Sequence, residues 1–290
     1  MAMHKDLLRR GLSFAYRRLA PAGTRNLIST SLLLTGRDEI PRAITDFATG
    51  PVLIVAPHFD DEICGCGGVM GLHATAGQTI TVVFVTDGAA GDPSLRGATM
   101  PADELKQARA RLTVLRESES RAACAEYGIS DLRMLNGPDG ALAPTNDLVE
   151  AMGAVLDDVR PAIVYHPSLL DAHSDHWNSN LILAGALKAR PALSGALRLR
   201  GYEVWTPAIP NRFANIDAEV DRKQRAFAHF VSQNATVDYP RAIGGLNAYR
   251  SIYMQGGQGQ AEAFQELSVA AFDLLISAIL ARPHHDHSDP

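Results

Sequence analysis

The chain has 290 residues, a formal net charge of -5 and 46% hydrophobic residues, with a pI near 6.0. At about 150 residues per domain this is one large domain or two small ones with ample core material. The ordinary charged fraction of 20% argues against wholesale disorder, and the mild acidity argues against a nucleic-acid binder.

Residues 4–20 predict a short basic amphipathic helix, with Leu7, Leu8, Leu12, Ala15 and Leu19 interleaved with Arg9, Arg10, Arg17 and Arg18. Such a helix suits a membrane surface; a packing arm or an oligomer contact suits it as well. No apolar stretch suitable for a secretory signal precedes Tyr16 and Arg17. Val52 to Ala56 is a continuous apolar run, the mark of a buried parallel strand. A Gly-rich turn and a helix over roughly Gly68 to Ala76 follow. Thr79 to Thr86 is a second β-branched run, closed by Asp87-Gly88. A long helix over Ala102 to Tyr127 ends at Gly128, and a short strand surrounds Leu132 to Leu135. Asn146 is read as the cap of a helix that reaches Val159 and stops at Pro161. Ala162 to Tyr165 is a further strand, followed by a helix from Ser174 to Lys188.

Beyond Pro191 the pattern changes. Leu197 to Trp205 predicts a strand, Ala218 to Val231 a helix, Gly244-Gly245 and Gly256 to Gly259 loops, and Glu262 to Ala281 a mostly helical segment. The apolar stretch Leu267 to Leu280 contains Asp273 and is shorter than the roughly 20 residues a membrane span needs. The tail from Pro283 to Pro290, with His284, His285 and His287, is read as a disordered end. The three cysteines, Cys64, Cys66 and Cys124, are too few for a disulfide framework and lack the second pair of a structural zinc site. They are read as small buried hydrophobes in a reducing compartment. The expected architecture is α/β: a Rossmann-like doubly wound sheet, mostly parallel, with helices on both faces. An N-terminal helical arm over 1–45 precedes a single domain over 46–290.

The most informative segment is Pro57-His58-Phe59-Asp60-Asp61-Glu62. It follows a buried strand, where open α/β sheets place their ligands. Three carboxylates and an imidazole this close repel or desolvate one another unless a cation or many hydrogen bonds hold them. One carboxylate suffices to cap the next helix; the whole cluster asks for more. His58 and Asp61 are three apart and point to one side of a helical turn, with Asp60 between them. A second cluster follows the Ala162–Tyr165 strand: His166-Pro167, then Asp171-Ala172-His173-Ser174-Asp175-His176. One imidazole from it with His58 and Asp61 makes two histidines and one carboxylate, a set that leaves a zinc ion an open position for chemistry. Zinc and ferrous iron both accept that set.

These residues resemble the LmbE-like/PIG-L family of metal-dependent N-deacetylases. Pro57 to Glu62 is similar to its P/A-H-P-D-D-E signature with Phe59 in place of the proline, and His173-Ser174-Asp175-His176 to its H-x-D-H signature. Thr86-Asp87-Gly88, Arg116 with Glu119, and Lys223 through His229 to Ser232-Gln233 continue the likeness. The resemblance implies that His58, Asp61 and His176 bind the metal and that Asp60 is the general base. It implies that His173 is the acid or electrostatic partner, that Asp175 orients a histidine, and that Arg116 contacts the substrate.

It further implies Zn2+, with Fe2+ as the alternative, and an N-acetylglucosamine-type sugar on a larger carrier, such as a glycolipid, a glycoconjugate or a polysaccharide precursor. An amidase acting on larger amides such as thiol conjugates, and a non-catalytic metal- or sugar-binding protein, are the competing readings. A nucleotide-sugar transferase rests on the α/β alternation alone. The enzyme is expected in the cytoplasm or at the inner membrane surface, and the outer wall of its pocket is expected from residues after Pro191. Arg116 with Glu119 also fits a surface ion pair, Lys223 a helix surface, and His166 a structural role. His73 carries no motif, and Gly65, Gly67 and Gly68 lack the full dinucleotide fingerprint.

Overall fold

A computed structural model describes residues 40–95, 100–193 and 195–280. Segment 4–20 and tail 283–290 lie outside the described residues. Among the described residues, no helix is long and apolar enough to cross a membrane.

Among the described residues, eight strands form one sheet: β1 (Arg42–Ala43), β2 (Val52–Ala56), β3 (Ile80–Thr86), β4 (Asp131–Gly137), β5 (Ile163–Pro167), β6 (Arg198–Tyr202), β7 (Arg212–Asn215) and β8 (Ala261–Ser268). Their spatial order is β1-β7-β8-β6-β5-β2-β3-β4. Every pairing is parallel except those of β8 with β6 and β7. Among the described residues, the helices of eight residues or more are α1 (Asp61–Thr75), α2 (Ala102–Ala125), α3 (Asn146–Val159), α4 (Ser174–Lys188), α5 (Val220–Ala228), α7 (Tyr239–Arg250) and α8 (Val269–Leu280); the one-turn α6 (Val231–Asn234) lies between α5 and α7.

Strand alternation divides the core between the two faces of the sheet. Val52, Ile54, Val82, Phe84, Ile163 and Tyr165 pack with Ile63, Val69 and Met70 of α1 and Phe227 of α5. Leu53, Val55, Val83, Val85 and Val164 pack with Met152 and Leu156 of α3, Ile182 and Leu183 of α4, and Phe272 and Leu275 of α8. Central strands buried on both faces need apolar residues at every position, which is why β2 and β3 read as unbroken runs. After β2 the chain winds outward to β3 and β4, then returns to place β5 on the other side of β2. The topological switch point therefore lies between the carboxyl ends of β2 and β5.

Several elements differ from the sequence reading. The predicted glycine turn before Gly68 is helix, because α1 starts at Asp61. Its glycines allow close approach: a Cβ on Gly65 would come within 2.1 Å of the Tyr202 ring, and one on Gly68 within 2.3 Å of Ile216. The cap of α3 is Thr145, whose hydroxyl accepts from the Leu148 amide, one residue before the expected Asn146. Gly244-Gly245 lies inside α7. Each glycine costs a helix about 1 kcal/mol, and the buried stripe Ile243, Asn247 and Arg250 offsets that cost. The segment from Glu262, read as helix, begins as β8, and a helix starts only at Val269. Its good helix formers are overridden because β8 is hydrogen-bonded on both sides, to β6 and β7. All three cysteines are free and buried.

Lys223 of α5, read from sequence as a helix-surface residue, is 3% exposed. Its ammonium lies 2.7 Å from Glu262 Oε1 and donates to the Cys64 carbonyl at 3.1 Å and to Asn247 Oδ1 at 3.0 Å. Glu262 also accepts from the Gly68 and Val69 amides at 2.7 and 2.9 Å. This buried pair ties α1 to α5 and β8 with every charged atom engaged, the condition under which a buried ion pair is tolerable.

Two buried histidines outside the motifs are structural. His73 Nδ1 lies 3.0 Å from the Phe47 carbonyl and Nε2 lies 3.0 Å from the Tyr165 hydroxyl. His166 Nδ1 lies 2.8 Å from Asn180 Oδ1. Burial lowers each to about 4. The unfolded chain protonates these rings near 6.5 and the folded chain near 4, so between those values the unfolded state binds more protons. Stability should fall as pH drops through that window, by up to roughly 3 kcal/mol per ring. Because buried Asp60 and Glu62 titrate in the opposite sense over the same range, the test is the difference between variants: the urea midpoint of the parent should fall relative to that of His166→Gln between pH 6.5 and 4.5. A difference between the two midpoints that is constant across this range would overturn the assignment.

Candidate active site

The loop from β2 into α1 and the loop from β5 into α4 meet at the switch point. Asp61 opens α1, where a carboxylate suits the positive end of the helix dipole. Its Oδ2 accepts from the His58 amide at 2.9 Å and lies 3.2 Å from His58 Nδ1 and 3.1 Å from His176 Nε2. His176 sits on the first turn of α4, fully buried, with Nδ1 3.4 Å from Asp171 Oδ2. His58, Asp61 and His176, 115 or more positions apart in the chain across the two loops, thus share one carboxylate oxygen. Burial alone would raise Asp61, but His176 and His58 outweigh it and hold the carboxyl well below the usual range. Burial would lower His176, yet Asp61 and Asp171 push it up to about 9. Burial would likewise lower His58, yet Asp139, Asp175 and Asp61 hold it well above its ordinary value.

Asp60 precedes α1 with φ 124° and makes no side-chain capping bond. The capping explanation for this carboxylate therefore does not apply. A positive φ is unusual for a residue with a Cβ and marks local strain. The Asp60 amide donates to Glu62 Oε2 at 2.9 Å, which holds that backbone in place. Its carboxylate lies 3.5 Å from Arg116. Burial raises Asp60 to about 7, against the opposing pull of Arg116.

Arg116 of α2 is 3% exposed, so the surface-pair explanation fails for it as well. It donates to the carbonyls of Gly88 and Phe59, each at 2.9 Å, and lies 3.5 Å from Asp139. Glu119 pairs instead with Ser232, accepting from its amide at 2.8 Å and its hydroxyl at 2.5 Å. Phe59, at the position of the family's proline, turns into the core and packs on Phe84 with ring centroids 4.7 Å apart. It does not line the cleft.

His173 caps α4, its Nδ1 accepting from the Asp175 amide at 3.2 Å. A neutral ring that accepts at Nδ1 carries its hydrogen on Nε2. Its ring lies 4.8 Å from that of His58 and 5.0 Å from that of His176. Asp175 lies 3.2 Å from His58 Nε2 and accepts from the Gly140 and Leu142 amides. Asp139, absent from the sequence-derived set, lies 3.3 Å from His58 Nε2. Its signal was the Pro138-Asp139-Gly140 turn at the end of β4, a third loop at the carboxyl edge of the sheet.

The donor set fits a divalent cation. One ligand atom each from His58, His173 and His176 lie within 4.8 Å of one another, as do those of His58, Asp139 and Asp175. Neither ring nitrogen of buried His176 has a hydrogen-bond partner in good geometry, although carboxylates are near. Tetrahedral zinc bonds of about 2.0–2.1 Å set neighbouring donors a little over 3 Å apart, near the spacings around Asp61. Above these groups opens a cleft of about 220 Å³, walled by Arg116, Asp139 and His173 and, after Pro191, by Trp205, Gln233, Thr236, Val237 and Tyr239.

Residues 53–187 match the family described as PIG-L: GlcNAc-PI de-N-acetylase. A probable N-acetyl-alpha-D-glucosaminyl L-malate deacetylase 2 of Bacillus subtilis is 33% identical over 129 residues, 43% of this chain and 55% of that protein. A 1D-myo-inositol 2-acetamido-2-deoxy-alpha-D-glucopyranoside deacetylase of Acidothermus cellulolyticus is 34% identical over 159 residues, 47% of this chain and 52% of that protein. The chain thus spans about half the length of the curated relatives it matches. The N,N'-diacetylchitobiose deacetylase of Pyrococcus horikoshii superposes with a TM-score of 0.62 at 20% identity, over 76% of this chain and 84% of that one. The 4-carboxy-2-hydroxymuconate hydratase of Pseudomonas putida does so with 0.63 at 22%, over 75% and 96%. A hydratase and a deacetylase on one scaffold mean that the fold itself does not select the bond attacked.

Arg116→Ala removes the guanidinium donors to the Phe59 and Gly88 carbonyls, leaving Gly88 only the long 3.5 Å bond from the Gly91 amide, and removes the cation between Asp60 and Asp139. Its cost to unfolding free energy should be about 3 kcal/mol or more, with Arg116→Lys recovering only part because a lysine lacks the planar fork. Equilibrium urea unfolding of the two variants measures this.

Proposed function

We propose that the chain, whose residues 53–187 match the PIG-L family, is a metal-dependent deacetylase. It removes the N-acetyl group from an N-acetylglucosamine-type sugar attached to a larger carrier. The observation that supports this most directly is the meeting of His58, Asp61 and His176 at one carboxylate oxygen, with Asp60 and His173 lining the same cleft. Binding a cation needs only the first three. A carboxylate held near neutral pKa and a hydrogen-bond donor beside them are what hydrolysis adds.

His58, Asp61 and His176 would hold the ion, zinc or ferrous iron, which when bound polarises water and the amide carbonyl. Asp60 takes the proton as the water oxygen bonds to the acyl carbon. The Nε2 hydrogen of His173 is directed to the carbonyl oxygen as that atom gathers negative charge. Asp60 then delivers the proton to the amide nitrogen, the carbon–nitrogen bond breaks, and acetate and the amino sugar leave. Asp175 orients His58. Arg116 positions Asp60 through the Phe59 carbonyl and its own charge, within reach of a substrate in the cleft.

Acetate release from a panel of N-acetylated glycosides should vanish with chelator and return with added zinc or ferrous iron; release that is indifferent to chelation would sink the proposal. Asp60→Asn should lower kcat by about a hundredfold or more while elemental analysis finds the metal retained. His176→Ala should lose the metal on dialysis, whereas Asp139→Asn should keep it. The opposite pattern would move the ion to the group of His58, Asp139 and Asp175.

A further inference from the structure

Trp205 stands out on the cleft wall as a large aromatic side chain that is 52% exposed, in a cleft whose floor holds the buried His58, Asp60, Asp61 and Arg116. Its place is fixed rather than incidental. Its amide donates to Asp171 Oδ2 at 3.1 Å, and the adjacent Thr206 hydroxyl accepts from the Ala172 amide at 3.1 Å. Asp171 is the same carboxylate that faces His176 and accepts from the His173 amide. The indole is therefore anchored through its backbone to the loop that carries His173 and His176. Its ring lies 6.1 Å from that of His173 at 31°, and Tyr239 meets it edge-on, 6.3 Å away at 83°.

An anchored indole that keeps half its surface in water has an aromatic face without a partner. The π face of such a ring is electron-rich and attracts polarised C–H bonds. The same cleft is lined by polar groups, among them Asp60, Asp139, Gln233 and Thr236. The cleft thus offers an aromatic plane together with hydrogen-bonding groups. A pyranose is complementary to both, with C–H faces above and below the ring and hydroxyls around its edge.

We propose that Trp205, braced by Tyr239, is a specificity-determining residue. It receives the C–H face of the sugar ring that bears the scissile amide, and so places that amide beside His173. This rests on the deacetylase reading above and deepens it. Trp205 lies outside residues 53–187, the stretch matched by the family. The element that selects the sugar is therefore separate in the chain from the elements proposed to cleave it.

Trp205→Ala and Trp205→Phe should be compared with the parent enzyme on an N-acetylglucosamine glycoside, with metal content checked in each. Trp205→Ala should raise KM by about tenfold, more than it lowers kcat, with Trp205→Phe recovering most of the loss. The chain has two tryptophans, so emission reports binding without turnover. Glucosamine, the product amine, should shift the emission of the parent protein and leave that of Trp205→Phe, in which Trp177 remains, unchanged. An active parent whose KM is indifferent to Trp205→Ala would overturn the platform, as would a parent whose emission ignores glucosamine. A parent that binds glucosamine through Trp205 yet releases no acetate with metal restored would instead sink the deacetylase reading and leave the platform standing.

Discussion

The site depends on one carboxylate oxygen, Asp61 Oδ2, which faces a backbone amide and two imidazoles from opposite sides of the switch point. Each of these groups is costly to bury alone. A lone carboxylate or a lone imidazolium in this environment would shift its protonation to shed charge. Together they hold one another charged: Asp61 falls below the carboxylate range while His58 and His176 rise. The same surroundings act in the opposite sense on Asp60. Only Arg116 stands near enough to favour its charge strongly, and burial wins. Two adjacent carboxylates are thereby given different chemistry by their neighbours, Asp61 as a permanent anion and Asp60 as a group able to exchange a proton near neutrality.

Support for this arrangement comes from well outside the motifs. Helix α1 carries Asp61 and Glu62 at its first turn, and its course is set by the Lys223–Glu262 pair bonded to its backbone. Its glycines let Tyr202, Ile216 and Glu219 pack against the helix where any Cβ would collide. Arg116 joins α2 to the carbonyls of Phe59 and Gly88, and so locks the β2–α1 loop to the β3–α2 loop. A site that must hold several charges within a few tenths of an ångström needs such rigid elements beneath it.

Catalytic and recognition groups have different origins in the chain. Those proposed for chemistry come from the loops after β2 and β5, while the cleft wall of Trp205, Gln233, Thr236, Val237 and Tyr239 follows β6 and α5. The relatives differ in what is attached to their amino sugar. A wall built apart from the reacting centre can vary without disturbing the charge balance around Asp61.

The sequence by itself determined the alternation of strands and helices, because unbroken β-branched runs and helical spacing are local patterns that burial on a sheet demands. It also determined that His58, Asp60, Asp61, His173, Asp175 and His176 follow strand ends, since the motifs sit directly beside those runs. Only the tertiary structure decided which groups share a low-dielectric space. Asp139 joined the site because β4 ends beside the same crevice. Lys223 went inside because Glu262 came to meet it from β8, and that segment became a strand because two neighbours needed its backbone. Trp205 faced the cleft because Asp171 held its amide. Local pattern reports what a segment can bury. Which partners it meets depends on strand order and crossover, and those are fixed only when the whole sheet is assembled.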